Sequence, residues 1–208
     1  MSLLLYGIVF EDTLLAIDPE LQIITAAGLA AVVKANDTEI SREPAVVIAY
    51  GEQINRIHQQ TTLIPIRYGS ELANENEVIQ HLTSNALHYQ TRLTKLVDCE
   101  EMGIRLPIDS LEDNQVSKPI SGYDYLLARK RVYAVPEQTE QQATVLNNAL
   151  AGLYRQQCAE LSVFNGRRTY LLSYLVPRTE LPLFREKLRD LIDGSFISGP
   201  WPPYNFTH

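Results

Sequence analysis

The sequence predicts an α+β protein of two domains with an extended tail. A mixed α+β domain is expected over residues 1–97, and a ferredoxin-like βαββαβ domain with a helical insertion over residues 98–198. Three observations carry this reading. Short apolar runs bounded by turn residues alternate with stretches of 3.6-residue apolar periodicity. From Cys99 onward the order reads strand, helix, strand, strand, helix, strand, which is the split βαββαβ order. With 208 residues and 45% hydrophobic content, the chain can bury a core in each half.

Leu3–Phe10 is an unbroken apolar run of the kind a fully buried strand shows, and Gly28–Lys34 repeats it. The first run has no basic flank and leads straight into Glu11-Asp12, so it reads as strand and not as an export signal. Pro44 opens Ala45–Gln60, whose early part (Ala-Val-Val-Ile-Ala-Tyr) suits a strand and whose later part, through Ile54 and Ile57, suits a helix. Thr61–Tyr68 reads as a strand closed by Gly69. Asn74 with Glu77 three residues on makes a capping box. It starts one long helix carrying Val78, Ile79, Leu82, Ala86, Tyr89, Leu93 and Leu96.

Cys99–Ile108 returns to strand, and residues 107–121 are polar, proline-bracketed and loop-like. A helix is expected from Gly122, interrupted at Pro136 and resumed through Val145, Leu146, Leu150, Leu153, Tyr154 and Leu161. Strands Leu161–Asn165 and Arg168–Val176 flank Asn165-Gly166, a hairpin turn signal. Thr179 is the expected cap of a helix with Phe184, Leu188, Leu191 and Ile192, ended by Asp193-Gly194. Ser195–Ser198 forms the last strand.

A net charge of −7 argues against nucleic-acid or anionic-membrane partners, and the basic clusters Arg129–Arg131 and Arg167-Arg168 are too short to reverse that. No apolar stretch reaches the ~18–20 residues of a membrane span. Cys99 and Cys158 stand far apart with no metal-ligand spacing around them. His81 and His88 lie seven apart, too far to share a metal, and His58 and His208 are isolated in sequence. The carboxylates Asp98, Glu100 and Glu101 read as an edge or salt-bridge cluster. No nucleophile-elbow, phosphate-loop, dinucleotide or zincin motif occurs. No catalytic, cofactor-binding or metal-ligating residue is therefore predicted, and no small-molecule substrate is expected.

Two features remain. Arg67 ends an otherwise apolar segment, Leu63–Gly69, and a buried guanidinium there would need a carboxylate, with Glu101 or Glu71 as candidates. It is read as a structural fork. The competing reading is a small-ligand or enzymatic site on a ferredoxin-like sandwich, built from Arg67 with Glu100 or Glu101. The second feature is the tail, Gly-Pro-Trp-Pro-Pro-Tyr-Asn-Phe-Thr-His over 199–208. Trp201, Tyr204 and Phe206 are apolar, and Pro202 and Pro203 stiffen the path between them. The segment is expected to clamp onto its own protein, with Trp201 docked where the two halves meet. A peptide offered to a partner is the second possibility.

Five segments in register resemble one known family. Thr62–Gly69 is similar to the "vLPlRFG" block of the gas vesicle protein F/L family, and Glu101-Met102-Gly103-Ile104-Arg105 to its "EWGvK" block. Gly122–Arg131 resembles "GraYLlrrr", Tyr174–Pro177 with the following Phe184 helix resembles "yLVp…F", and Gly199–Phe206 resembles "GPWPPYsF". One departure is the stretch Tyr50-Gly51-Glu52-Gln53, where many members carry a histidine, so no histidine role transfers.

The resemblance implies a minor, non-enzymatic gas vesicle protein without a cofactor, located at the vesicle and serving buoyancy. It also implies partners: the hydrophobic main shell protein, bound during nucleation and assembly, and other accessory proteins of the vesicle. Retention as a minor structural component of the shell belongs to the same expectation.

Overall fold

The computed structural model describes residues 2–108, 135–192 and 196–207. The loop expected over 107–121 lies outside them from residue 109 onward, as do the helix start at Gly122 with its block to Arg131 and the Asp193-Gly194 stop; Pro107 itself closes a strand. The described residues form a mixed α+β fold of two antiparallel sheets and five α-helices. In chain order these are β1 (Ser2–Phe10), β2 (Leu21–Ala26), β3 (Leu29–Asn36), α1 (Pro44–Gln60), β4 (Ile64–Pro65), β5 (Glu71–Leu72), α2 (Glu75–Ser84) and α3 (Ala86–Leu96). There follow β6 (Cys99–Pro107), α4 (Glu137–Ala149), β7 (Gln156–Phe164), β8 (Arg167–Pro177), α5 (Leu181–Leu191), β9 (Phe196–Trp201) and a 3₁₀ turn, Tyr204–Phe206. The chain divides into two compact units, residues 1–101 with 200–208, and residues 102–199.

In the first unit the sheet runs β2-β3-β1-β4, with β5 also on β1. Every pair in it is antiparallel. Leu4, Tyr6 and Val9 of β1 join Val32, Tyr50, Ile54, Ile57 and Leu63 in one core. Leu3, Leu5 and Ile8 are buried as well, and α2 and α3 also pack on this sheet. A strand covered on both faces has no polar alternation, which is why Leu3–Phe10 reads as a solid apolar run. The register slips between Leu5 and Gly7. A Cβ on Gly7 would fall 2.2 Å from Leu63 Cδ1 and 3.0 Å from the Ile64 carbonyl oxygen, so glycine is what lets β4 approach β1.

Four expectations are corrected in this unit. The strand β2 was not anticipated. Only Leu21 and Ile24 of it are buried, and Ile23 faces out, as an edge strand permits. Ala45–Gln60 is one helix throughout, because Pro44 pre-sets the helical φ at its first turn. Thr61–Tyr68 contributes only a two-residue strand, Ile64–Pro65. The long helix is two helices broken at Asn85, whose φ of −111° and ψ of 12° leave the helical range. The Asn74 cap holds: its side chain accepts the Glu77 N–H at 3.1 Å, while the Glu77 carboxylate reaches back to the Ala73 N–H at 3.0 Å.

The second sheet runs β7-β8-β6-β9. Met102, Ile104, Leu146, Leu150, Leu172, Tyr174, Phe184 and Leu188 form the core of the second unit. The expected continuation of a helix to Leu161 is corrected: α4 stops at Ala149, Gly152 turns the chain at φ +85°, and β7 begins at Gln156. Thr179 does not cap α5, since Glu180 takes the N-cap position without a side-chain bond. Asn165 and Gly166 both have positive φ, the type I′ geometry that joins β7 to β8.

The turn between β2 and β3 also has two positive φ values, but its first residue is Ala27 at +54°. Alanine is strained there. Asparagine tolerates that conformation and leaves intact the bond that the Gln90 side-chain amide donates to the residue-27 carbonyl (Nε2 to O, 2.9 Å), because that bond uses backbone oxygen. Ala27→Asn is expected to raise stability by about 0.5–1 kcal/mol in urea denaturation.

Candidate functional site

The tail is held by one buried carboxylate. Glu101 lies on β6 and is only 6% exposed. Its Oε2 accepts the Asn205 backbone N–H at 2.9 Å, and its Oε1 accepts Asn205 Nδ2–H at 2.6 Å. Such two-pronged bonds to a charged acceptor are about twice as strong as neutral ones. Pro202, Pro203 and Phe206 are buried, and Tyr204 packs against the cluster that contains Tyr50. Trp201 departs from expectation: it is 51% exposed and therefore not docked as a buried anchor.

Tyr204 leads to a second polar tie. Burial first, then the Glu101 charge, pushes its hydroxyl up to about 12. Burial, with help from Tyr204, Tyr6 and Tyr68, pushes the Tyr50 hydroxyl up as well. Tyr50 sits one turn and a half into α1, and its oxygen lies 2.5 Å from the Leu5 carbonyl and 2.9 Å from that of Ile66. One hydroxyl thereby serves the backbone of β1 and of the segment after β4. Tyr6 and Tyr68 flank its ring with centroids at 4.4 and 5.0 Å.

The remaining predicted residues are not brought together. Arg67 is exposed and pairs with neither Glu71 nor Glu101, which corrects the expectation of a buried fork. With β4 only two residues long, position 67 lies beyond the strand and its guanidinium stays in water. Glu71 instead accepts from Ser2 Oγ and Asn36 Nδ2, both at 2.7 Å, and those bonds hold its carboxyl below the usual range. Glu100 pairs with His58 Nε2 at 2.8 Å, and His58 is almost wholly buried in the last turn of α1. Because a carboxylate only accepts, Nε2 carries the proton. A ligand site built on Arg67 with Glu100 or Glu101 thus finds both carboxylates engaged with other partners. His81 bonds the Tyr89 hydroxyl at 2.7 Å across the α2–α3 break. Among the described residues no three His, Cys, Asp or Glu side chains gather as a metal would need, and no helix is long and apolar enough to cross a membrane.

Two features of the candidate site escaped the sequence. Asn205 is one, although a lone amide amid aromatics and prolines was the available signal. The first turns of α1 are the other. Residues 42–49 are all exposed, and Pro44–Ala49 is six apolar residues long, with Val46 and Val47 40% exposed and Ile48 60%. Read as strand, this stretch had no reason to stand out from the core.

Glu101→Ala is expected to lower stability by about 2–3 kcal/mol, through the two N–H groups left unbonded, and the melting temperature by roughly 5–10 °C. The Asn205 amide should exchange its hydrogen faster in the same variant, which mass spectrometry after deuterium labelling can read. A pH series tests the tyrosines. Because folding raises the Tyr204 value to about 12, its contribution is complete below about pH 10 and is lost as pH climbs towards 12; Tyr50, raised as well, adds to the loss from about pH 10 upward. Urea midpoints should fall across that window, and Tyr204→Phe should flatten the fall.

The family model described as "Gas vesicle synthesis protein GvpL/GvpF" matches residues 2–208. No curated protein sequence gives a match. Among solved structures, the gas vesicle protein GvpF from Microcystis aeruginosa superposes with a TM-score of 0.78 at 17% identity, covering 100% of this chain and 99% of that one. GvpF from Anabaena sp. PCC7120 superposes with a TM-score of 0.70 at 16% identity, covering 100% and 98%. These likenesses show a shared fold. With its five sequence blocks in register and the family model matched along its length, the chain belongs to the GvpL/GvpF family of gas vesicle synthesis proteins.

Proposed function

We propose that this protein is a non-enzymatic component of gas vesicle assembly that binds the hydrophobic main shell protein during nucleation, stays with the vesicle as a minor part of its shell and so serves buoyancy. Family membership supports the gas vesicle role. The observation that carries the binding step is the exposed apolar start of α1. Val46, Val47 and Ile48 project from successive positions, so the helix end presents apolar surface around most of its circumference. Surface of that kind, contiguous and unburied, marks an interaction site. A hydrophobic subunit awaiting its place in a shell is a fitting occupant.

The second unit belongs to the scaffold in this reading. Its strand order, β7-β8-β6-β9, with, among the described residues, one helix between β6 and β7 and another between β8 and β9, supports a ferredoxin-like βαββαβ arrangement. Function then resides in surfaces of the first unit, not in that fold.

The test uses the double substitution Val47→Ser, Ile48→Ser. Both side chains are exposed, so the melting temperature should move by less than about 2 °C. Capture of the main shell protein should fall by about tenfold or more. Immunoblots of washed, purified vesicles should find the wild-type protein retained. Undiminished capture by the variant would remove α1 from the reading, and a protein found only in the wash would remove its place in the shell.

A further inference from the structure

Beside the exposed turns of α1 the first unit holds a cavity of about 370 Å³. Tyr6, Tyr50 and Tyr68 line it, and Ile40, Val46 and Ala49 form an apolar shoulder continuous with the helix start. Its size is at the small end for a binding pocket, fitting one side chain better than a larger ligand. Four carboxylates and two cations also border it. Glu20 and Lys34 neutralise each other in an ion pair. That leaves Asp18, Glu39 and Glu52 against Arg56, which leans towards Gln53 at 3.5 Å. Glu39 and Glu52 have no ion-pair partner among the described residues.

An acidic rim over aromatic rings is the chemistry that selects a cation. Tyr6 and Tyr50 are buried, so the half-buried Tyr68 is the ring that attracts it through its quadrupole, and the carboxylates supply the longer-range field. Among protein cations, guanidinium is planar, weakly hydrated and able to stack on a ring while it forks onto a carboxylate. The geometry points to an arginine-recognition pocket: an arginine side chain of a partner protein enters against Tyr68, its guanidinium meets Glu39 or Glu52, and its apolar neighbours lie on Val46 and Ala49. This assignment stands apart from the vesicle reading, since it names what chemistry enters the pocket and not which protein brings it.

The probe is the tripeptide Ac-Leu-Arg-Leu-NH2, titrated into the full-length protein and followed by backbone amide chemical shifts. Its citrulline counterpart has nearly the same shape and no charge. The arginine peptide should perturb the amides of Ile40, Glu52 and Tyr68 and bind about tenfold more tightly than the citrulline one. Replacing Glu39 and Glu52 together by glutamine should remove most of that difference without shifting the melting temperature, because both side chains are exposed. Equal affinity for the two peptides, perturbations confined elsewhere, or no saturation by about 20 mM would overturn the assignment. A concentration-dependent dimer abolished by the same substitutions would give the pocket to a second copy of this chain, and overturn the partner assignment too. Vesicle retention and capture of the shell protein are measured separately, so failure here leaves them untouched.

Discussion

A carboxylate kept from water must have its oxygens satisfied, and Glu101 meets that requirement through Asn205. The two residues are separated by 104 positions, so closing the pair fixes a long loop as well as a bond. Once Asn205 is placed, the rest of the tail has little choice. Pro202 and Pro203 are too stiff to wander, and Tyr204 is delivered to the tyrosine cluster. Tyr50 then carries the restraint onward, because its hydroxyl binds carbonyls of β1 and of the segment after β4. A run of polar contacts therefore threads an otherwise apolar unit, linking β6, the tail, α1 and β1. Its members cannot be exchanged for apolar residues singly, since each removal strands a buried partner.

What this network leaves outside is as telling as what it encloses. Trp201 stands immediately before the clamped segment and remains half-exposed, while Phe206, five residues later, is buried. Likewise α1 is locked from Tyr50 onward and bare before it. In both places the boundary between fixed and free falls at one residue. Rigid backing behind an exposed apolar surface reduces the ordering cost of any contact made there.

Much of the architecture was legible because the signals were local. Asn74 with Glu77 fixed a helix start, Asn165-Gly166 fixed a hairpin, and the solid run Leu3–Phe10 announced a strand covered on both faces. Misreadings arose where local preference and context disagree. Val46-Val47-Ile48 are β-branched and favour strands in isolation, yet Pro44 and the downstream Ile54 and Ile57 stripe commit the whole segment to helix. Asn85 interrupts a helix whose apolar spacing continues unbroken on either side, so periodicity alone could not reveal it. Arg67 resembled a buried charge only on the assumption that its strand extended that far. The Glu101–Asn205 pair was out of reach altogether: two polar residues half a chain apart carry no pattern that joins them, and only the fold does.

The magnitude of the α1 surface bears on how it must be used. Burying a valine or isoleucine side chain completely contributes about 1.5–3 kcal/mol, and Val46, Val47 and Ile48 are already half-covered. Together they offer on the order of 2–4 kcal/mol. Association costs roughly 4–15 kcal/mol in lost rigid-body freedom before any contact counts. The helix end by itself therefore supports only a fleeting encounter. Either a partner presents many copies of one surface, so that weak contacts act together, or a second anchor adds to the first. Under the function proposed above, a shell of repeated subunits would supply the former. The acidic, tyrosine-lined cavity shares Val46 and Ala49 with the helix end, so a partner that brought the proposed arginine would gain the latter within the same footprint. A surface of this strength suits reversible contact, since one strong enough to hold alone would be slow to let go.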